Sequence, residues 1–179
     1  MFTFIFNKIS ARLTFILITL FCFGSVGYAI YSQIFNHAEP CPLCIAQRVV
    51  YAVIGIFALV GAIHNCKKYG NIFYGLLVSG FGGAGIAIAH HHVWLQSLPP
   101  ELWPASCGMP LTIMFQQMPI TGFLHTVLTG TAECAMVDWK VFGISGPLVS
   151  MYGYILVTIG GVYTILRAMM YKKREYYYY

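Results

Sequence analysis

Charge is what this chain has least of. Asp, Glu, Lys and Arg together make up 8% of its 179 residues, where a soluble domain carries about a quarter. Hydrophobic residues reach 59% and the mean hydropathy is strongly positive, so water is not the main solvent. A nucleic-acid partner is not expected either. The net charge is +5, but the few basic residues sit beside apolar runs, where they orient a chain in a bilayer. No small-x-small cleavage site follows the first apolar run, which is itself long enough to span, so no cleavable signal is expected. The chain has no internal repeat, no dinucleotide or flavin fingerprint, and no strand ahead of its glycine-rich stretch to make a phosphate loop. It also lacks two closely spaced cysteine pairs of the kind that hold structural zinc, so no metal site is expected.

Four runs are long enough for the roughly 20 helical residues that cross a bilayer: Leu13–Tyr31, Cys44–Ile63, Asn71–Ala89 and Ile144–Leu166. Lys8 and Arg12 precede the first, Lys67 and Lys68 separate the second from the third, and Arg167, Lys172, Lys173 and Arg174 follow the fourth. With four spans, these eight of ten basic residues share one side. The positive-inside rule makes that side cytoplasmic, with both termini inside. Glu39, Glu101, Glu133 and Asp138 then fall outside. The expectation is an all-α membrane protein: one integral domain over 1–179, a four-transmembrane-helix bundle in contact with membrane lipid. A short outer loop covers about 32–43 and a long one about 90–143. Prolines 99, 100, 104, 110 and 119 break the long loop, leaving LTIMFQQM and ITGFLHTVL as short interfacial helices. Trp94, Trp103 and Trp139 suit the outer aromatic belt. Gly75, Gly80, Gly82, Gly83 and Gly85 in the third run point to close helix packing. The terminal YKKREYYYY reads as a cytoplasmic tail without chemistry.

This topology sorts the cysteines. Cys41 and Cys44 lie at the outer end of the second span and Cys107 and Cys134 in the long outer loop. Two pairs therefore face the side where disulfides persist. Cys22 reads as a small apolar filler in the first span, and Cys66 lies at the cytoplasmic end of the second. Pro40 and Pro42 favour a bend and a helix start, which puts Cys44 in a first turn where free N–H groups and the helix dipole favour a thiolate. Arg48 is one turn on, on the same face. It either snorkels to headgroups or stabilises that thiolate and the reduced form of an electron acceptor. The other pair, separated by residues 108–133, suits a loop-closing disulfide, static or exchangeable. If exchangeable, the two pairs form a thiol–disulfide relay, and a lipid-soluble quinone could reach Cys44 laterally. His90, His91 and His92 face three directions, so at most two can meet a pocket. Haem would need a facing pair of histidines, and His64 lies at the opposite end.

CPLCIAQR at 41–48, HVWLQ at 92–96, Cys107 after a proline-rich stretch and AECAMVDWKVFGIS at 132–145 resemble the DsbB family of membrane disulfide-generating proteins, over most of the chain. The resemblance implies a bacterial inner-membrane enzyme with periplasmic active loops. Its partner would be a periplasmic DsbA-like thiol oxidase, reoxidised by Cys107 and Cys134. Electrons would pass to Cys41 and Cys44 and into ubiquinone or menaquinone. Cys107 would form the mixed disulfide with the partner and Cys44 would contact the quinone. Arg48 and His92 would line the quinone site, with His91 a competing assignment. A reductase running the other way, or a haem-binding or structural module with a static Cys107–Cys134 bond, are the alternatives.

Overall fold

Apolar segments of this length bury their backbone polar groups within themselves as helices, and the computed structural model has four of them. It describes residues 10–36, 41–64, 68–104, 119–136, 140–141 and 143–175. Helices α1 (Ala11–Asn36), α2 (Pro42–His64) and α3 (Lys68–Gln96) are followed by a 3-10 turn at Pro100–Leu102. Two shorter helices come next, α4 (Ile120–Thr129) and α5 (Ala132–Ala135). The antiparallel strands β1 (Lys140–Val141) and β2 (Ile144–Ser145) lead into α6 (Gly146–Glu175). Helices α1, α2, α3 and α6 are long and apolar enough to cross a membrane. Large apolar side chains such as Leu20, Phe35, Ile63 and Leu156 point outward all along them. That is a surface lipid solvates and water does not, so this is a multi-pass membrane protein.

The ends of the helices differ from the hydropathy runs, for local reasons. The Ser10 side chain accepts the N–H of Leu13 and starts α1. Helix α3 does not stop at Ala89 but runs to Gln96, because nothing breaks it before Pro99 and Pro100. The helix therefore runs seven residues beyond the end of the apolar run. Helix α6 starts at Gly146, two residues later than the apolar run, because Ile144 and Ser145 pair with β1. Gly143, at φ 83°, turns the chain between the strands. The stretch ITGFLHTVL is helical, as α4. LTIMFQQM, Trp139, Cys66 and Cys107 lie outside the described residues.

Helices α3 and α6 meet most closely. Gly75 faces Thr164 and Ile165, Gly82 faces Thr158, Gly85 faces the ring of Tyr154, and Gly161 faces Ser79. Gly80 and Gly83 face open space, so of the five glycines from Gly75 to Gly85 three serve this seam. Phe15, Ile18, Cys22, Ile54, Val78 and Val157 fill the centre of the bundle. Above them Tyr154 stacks on Tyr51 with centroids 4.1 Å apart and donates its hydroxyl to the Gln47 carbonyl at 2.6 Å. Tyr51 in turn donates to the Ser150 carbonyl at 2.9 Å. This tie fixes α6 to α2 just below the cysteines.

Candidate functional site

Cys41 immediately precedes α2 and Cys44 lies in its first turn. Their sulfurs are 2.9 Å apart, and the Cys44 N–H points at Cys41 Sγ at 3.4 Å. From α3 the buried His92 brings Nε2 to 3.7 Å from Cys41 Sγ. On its other side Nδ1 is 3.3 Å from Gln47 Nε2, and Nε2 is 3.1 Å from the Cys134 carbonyl. With the amide donating to Nδ1, the neutral imidazole carries its proton on Nε2 and donates to that carbonyl.

Cys134 reaches this place through one glycine. Gly130 ends α4 at φ 80°, and a Cβ there would meet Leu95 Cδ1 at 2.8 Å and Leu43 Cδ1 at 2.9 Å. Only glycine allows both that backbone and that approach to the ends of α2 and α3. The chain then turns through Thr131 into α5 and buries Cys134 completely. Cys41 Sγ, Cys134 Sγ and a ring nitrogen of His92 all lie within 4.8 Å of one another. Cys41, Cys44 and Cys134 are free thiols.

The electrostatics divide these cysteines. The Cys41 thiol donating to it, helped by the backbone N–H groups of Thr131 and Leu43, brings Cys134 down to about 6 against the cost of burial. Cys41 is raised, because its thiol form donates to Cys134 and to Cys44 and because it is buried. The N–H groups at the start of α2 serve Cys134, through Leu43, and Cys41, through Cys44. A lowered value keeps Cys134 a thiolate at neutral pH. The stability this adds is complete above the ordinary value of 9.0 and is lost as pH falls through about 6. A thiolate-absorbance titration of the reduced protein should therefore show one thiol ionising near pH 6, absent from Cys134→Ser. A first ionisation at the free-cysteine value of about 8.5 would contradict this.

Beside the cysteines opens a cavity of about 250 Å³. Phe21, Val26, Tyr51 and Pro147 give it apolar walls, and Cys41, Cys44, Arg48 and His92 reach into its lining. The Arg48 guanidinium donates to Gln33 Oε1 at 2.7 Å and to the Ala29 carbonyl at 3.3 Å, so it is held by α1 at the cavity edge. His91 is not in that lining: its Nε2 meets the Thr129 carbonyl at 3.1 Å and its ring stacks on Trp94. Adjacent helical residues point about 100° apart, and here His92 turns to Cys41 while His91 turns to Thr129. Gln47 is a site residue that sequence reasoning missed. A polar residue buried in the first turns of an apolar helix was the available signal.

A family model described as disulfide bond formation protein DsbB matches residues 11–165. The chain is 40% identical over 144 residues to Disulfide bond formation protein B of Xylella fastidiosa (strain 9a5c), a match covering 80% of this chain and 83% of that one. With the protein of the same description from Xanthomonas euvesicatoria pv. vesicatoria (strain 85-10) it shares 39% over 160 residues, 89% and 92% of the two chains. No solved structure matches the chain. Four apolar helices, a cysteine pair at the head of the second, and relatives matched over four-fifths or more of both lengths all agree: the chain belongs to the DsbB family of disulfide bond formation proteins.

Proposed function

We propose that this protein reoxidises a periplasmic DsbA-like thiol oxidase and passes the electron pair to ubiquinone or menaquinone in the bacterial inner membrane, its termini cytoplasmic. The observation that carries this reading is the closeness of Cys134 to Cys41, at the edge of the cavity that Cys44 lines. A static staple has no use for that adjacency.

Each exchange breaks one disulfide and forms another. A thiolate of the partner attacks Cys107 of the Cys107–Cys134 bond, and Cys134 leaves as a thiolate. Cys107 lies outside the described residues, so its part rests on the family motif. Cys134, favoured as a thiolate, then attacks Cys41 of the Cys41–Cys44 bond, and Cys44 leaves as a thiolate into the cavity. The second partner thiolate closes the partner's disulfide and frees Cys107, which attacks Cys134 and releases Cys41. The partner has lost two electrons and two protons, and Cys41 and Cys44 now hold them. His92 Nε2–H, which donates to the Cys134 carbonyl at 3.1 Å, lies 3.7 Å from Cys41 Sγ and can turn to a Cys41 thiolate once one forms. The cavity suits a flat apolar ring with polar oxygens: aromatic and aliphatic walls, with the Arg48 guanidinium as a donor at the rim. A bound quinone supplies a two-electron, two-proton acceptor that moves within the bilayer.

The direct test mixes the purified protein with quinone and a reduced thioredoxin-fold partner. Quinone absorbance should fall in step with the partner's thiols; partner oxidation without quinone reduction would overturn the reading. In the same assay Arg48→Ala should raise the apparent KM for quinone about tenfold, the worth of one hydrogen bond from a charged donor. The KM for the partner should not move. If quinone affinity is unchanged, Arg48 serves α1 alone, through Gln33 and Ala29.

A further inference from the structure

The described residues offer one chemistry that disulfide exchange leaves unused. Cys41 Sγ, Cys134 Sγ and a His92 nitrogen lie within 4.8 Å of one another, and Cys44 Sγ is 2.9 Å from Cys41 Sγ. Three soft or borderline ligands thus converge from three segments of the chain, and a fourth, Cys44 Sγ, lies beside the first of them. We propose that the fully reduced site binds one tetrahedral d10 cation of the zinc class, through Cys41, Cys44, Cys134 and His92.

The distances suit such an ion. Zinc holds thiolate sulfur at about 2.3 Å and imidazole nitrogen at about 2.0–2.1 Å, so neighbouring ligand atoms around a tetrahedron stand roughly 3.5–3.8 Å apart. Cys41 Sγ and His92 Nε2 are already 3.7 Å apart. The Cys41–Cys44 sulfurs must widen by roughly 0.9 Å, and the half-buried Cys44 side chain must turn its sulfur toward Cys134 and His92. The outer shell fits as well. Ligation by Nε2 moves the His92 proton to Nδ1, and Gln47, whose amide sits against Nδ1, turns its oxygen there to accept it. The Leu43 and Thr131 N–H groups donate to the Cys134 sulfur. Three thiolates and a divalent cation leave one negative charge, and Arg48 lines the same cavity. Sequence spacing argued against zinc because it compares only neighbouring cysteines. The fold supplies the third sulfur and the histidine from elsewhere.

Any disulfide among these cysteines removes two of the ligands, so only the reduced form binds. Metal binding displaces the thiol protons to solvent. Resting on the exchange reading, the ion would hold the reduced enzyme out of turnover until it is removed.

The test uses the whole protein in detergent, reduced with a phosphine under anaerobic conditions, without quinone or partner, so its failure leaves the quinone assay untouched. Titration with Co2+ alone should give one ion per chain, with the sulfur-to-cobalt charge-transfer and intense visible bands of a tetrahedral thiolate site, bleached by Zn2+. The disulfide form should show none. Cys134→Ser and His92→Ala should weaken binding at least tenfold, and Gln47→Leu about tenfold as an outer-shell partner. Cys22→Ser and Cys66→Ser should bind as the unaltered chain does. In the unaltered chain Zn2+ should also protect Cys41, Cys44 and Cys134 from alkylation, read by mass spectrometry, whatever the fate of the variants. Absence of tetrahedral bands, bands undiminished in Cys134→Ser, or protection confined to Cys41 and Cys44 would each overturn the proposal.

Discussion

Cys134→Ser is expected to lower partner-driven quinone reduction by a factor on the order of a thousand or more, to the level of direct background exchange. The loss follows from chemistry and from position. A serine hydroxyl is neither a thiolate nucleophile nor a leaving group in disulfide exchange, so neither the bond to Cys107 nor the attack on Cys41 can form. The replaced sulfur is also the one its surroundings hold lowest, through the Cys41 thiol and the Thr131 and Leu43 N–H groups. The step beyond it should survive. Cys41, Cys44, Arg48 and His92 still line the cavity, so a small dithiol that reduces Cys41–Cys44 directly should drive quinone reduction at a rate within a few-fold of the unaltered protein's. This split separates a relay from a staple. If Cys107–Cys134 were a static bond, the variant would lose thermal stability and keep partner turnover. Unchanged turnover in Cys134→Ser, or equal loss with the small dithiol, would remove Cys134 from the electron path.

Much of the bundle was legible because a bilayer imposes a length and a polarity that few sequences meet by chance. Where the helices end was less so. Hydropathy fades at Ala89, but the backbone obeys prolines, and the first of these is Pro99. The extra turns of α3 carry His91 and His92 as helical residues, which is why one of them is buried beside Cys41 and the other is spent on Thr129. Within the site, the local part was readable: Cys41, Cys44 and Arg48 lie within two turns of one another, and helical spacing relates them. The nonlocal part was not. Cys134 meets Cys41 because Gly130 lets α4 end against Leu43 and Leu95, a contact with no sequence period. Gln47 reads as one polar residue in an apolar run until His92 is placed against it. The α3 glycines look equivalent in sequence, and only the position of α6 separates those that are packed from those that face lipid.

Gly85→Leu tests that last distinction and should have the largest effect of any substitution away from the cysteines. A Cβ at position 85 would fall on the ring of Tyr154, which is fully buried, stacked on Tyr51 and bonded to the Gln47 carbonyl. The ring has nowhere to retreat, so α3 and α6 must separate. Overpacking alone costs about 1–3 kcal/mol, and more where backbones move. In lipid, where close packing of small residues is much of what holds helices together, the seam has little to offset it. The damage should reach the site. His92 stands two turns above Gly85 on the same face of α3, so displacing the helix draws its imidazole from Cys41 and Gln47, and Tyr51 from the cavity wall. The expected result is a clearly lower thermal midpoint in detergent and at least a tenfold loss of quinone reduction. Gly83→Leu, which meets nothing within 4 Å, should behave like the unaltered protein. Tyr154→Ala added to Gly85→Leu should restore part of the midpoint by making room for the leucine. Equal damage from Gly83→Leu, or no recovery in the double variant, would mean that contact between Gly85 and Tyr154 is not what sets the distance between these helices.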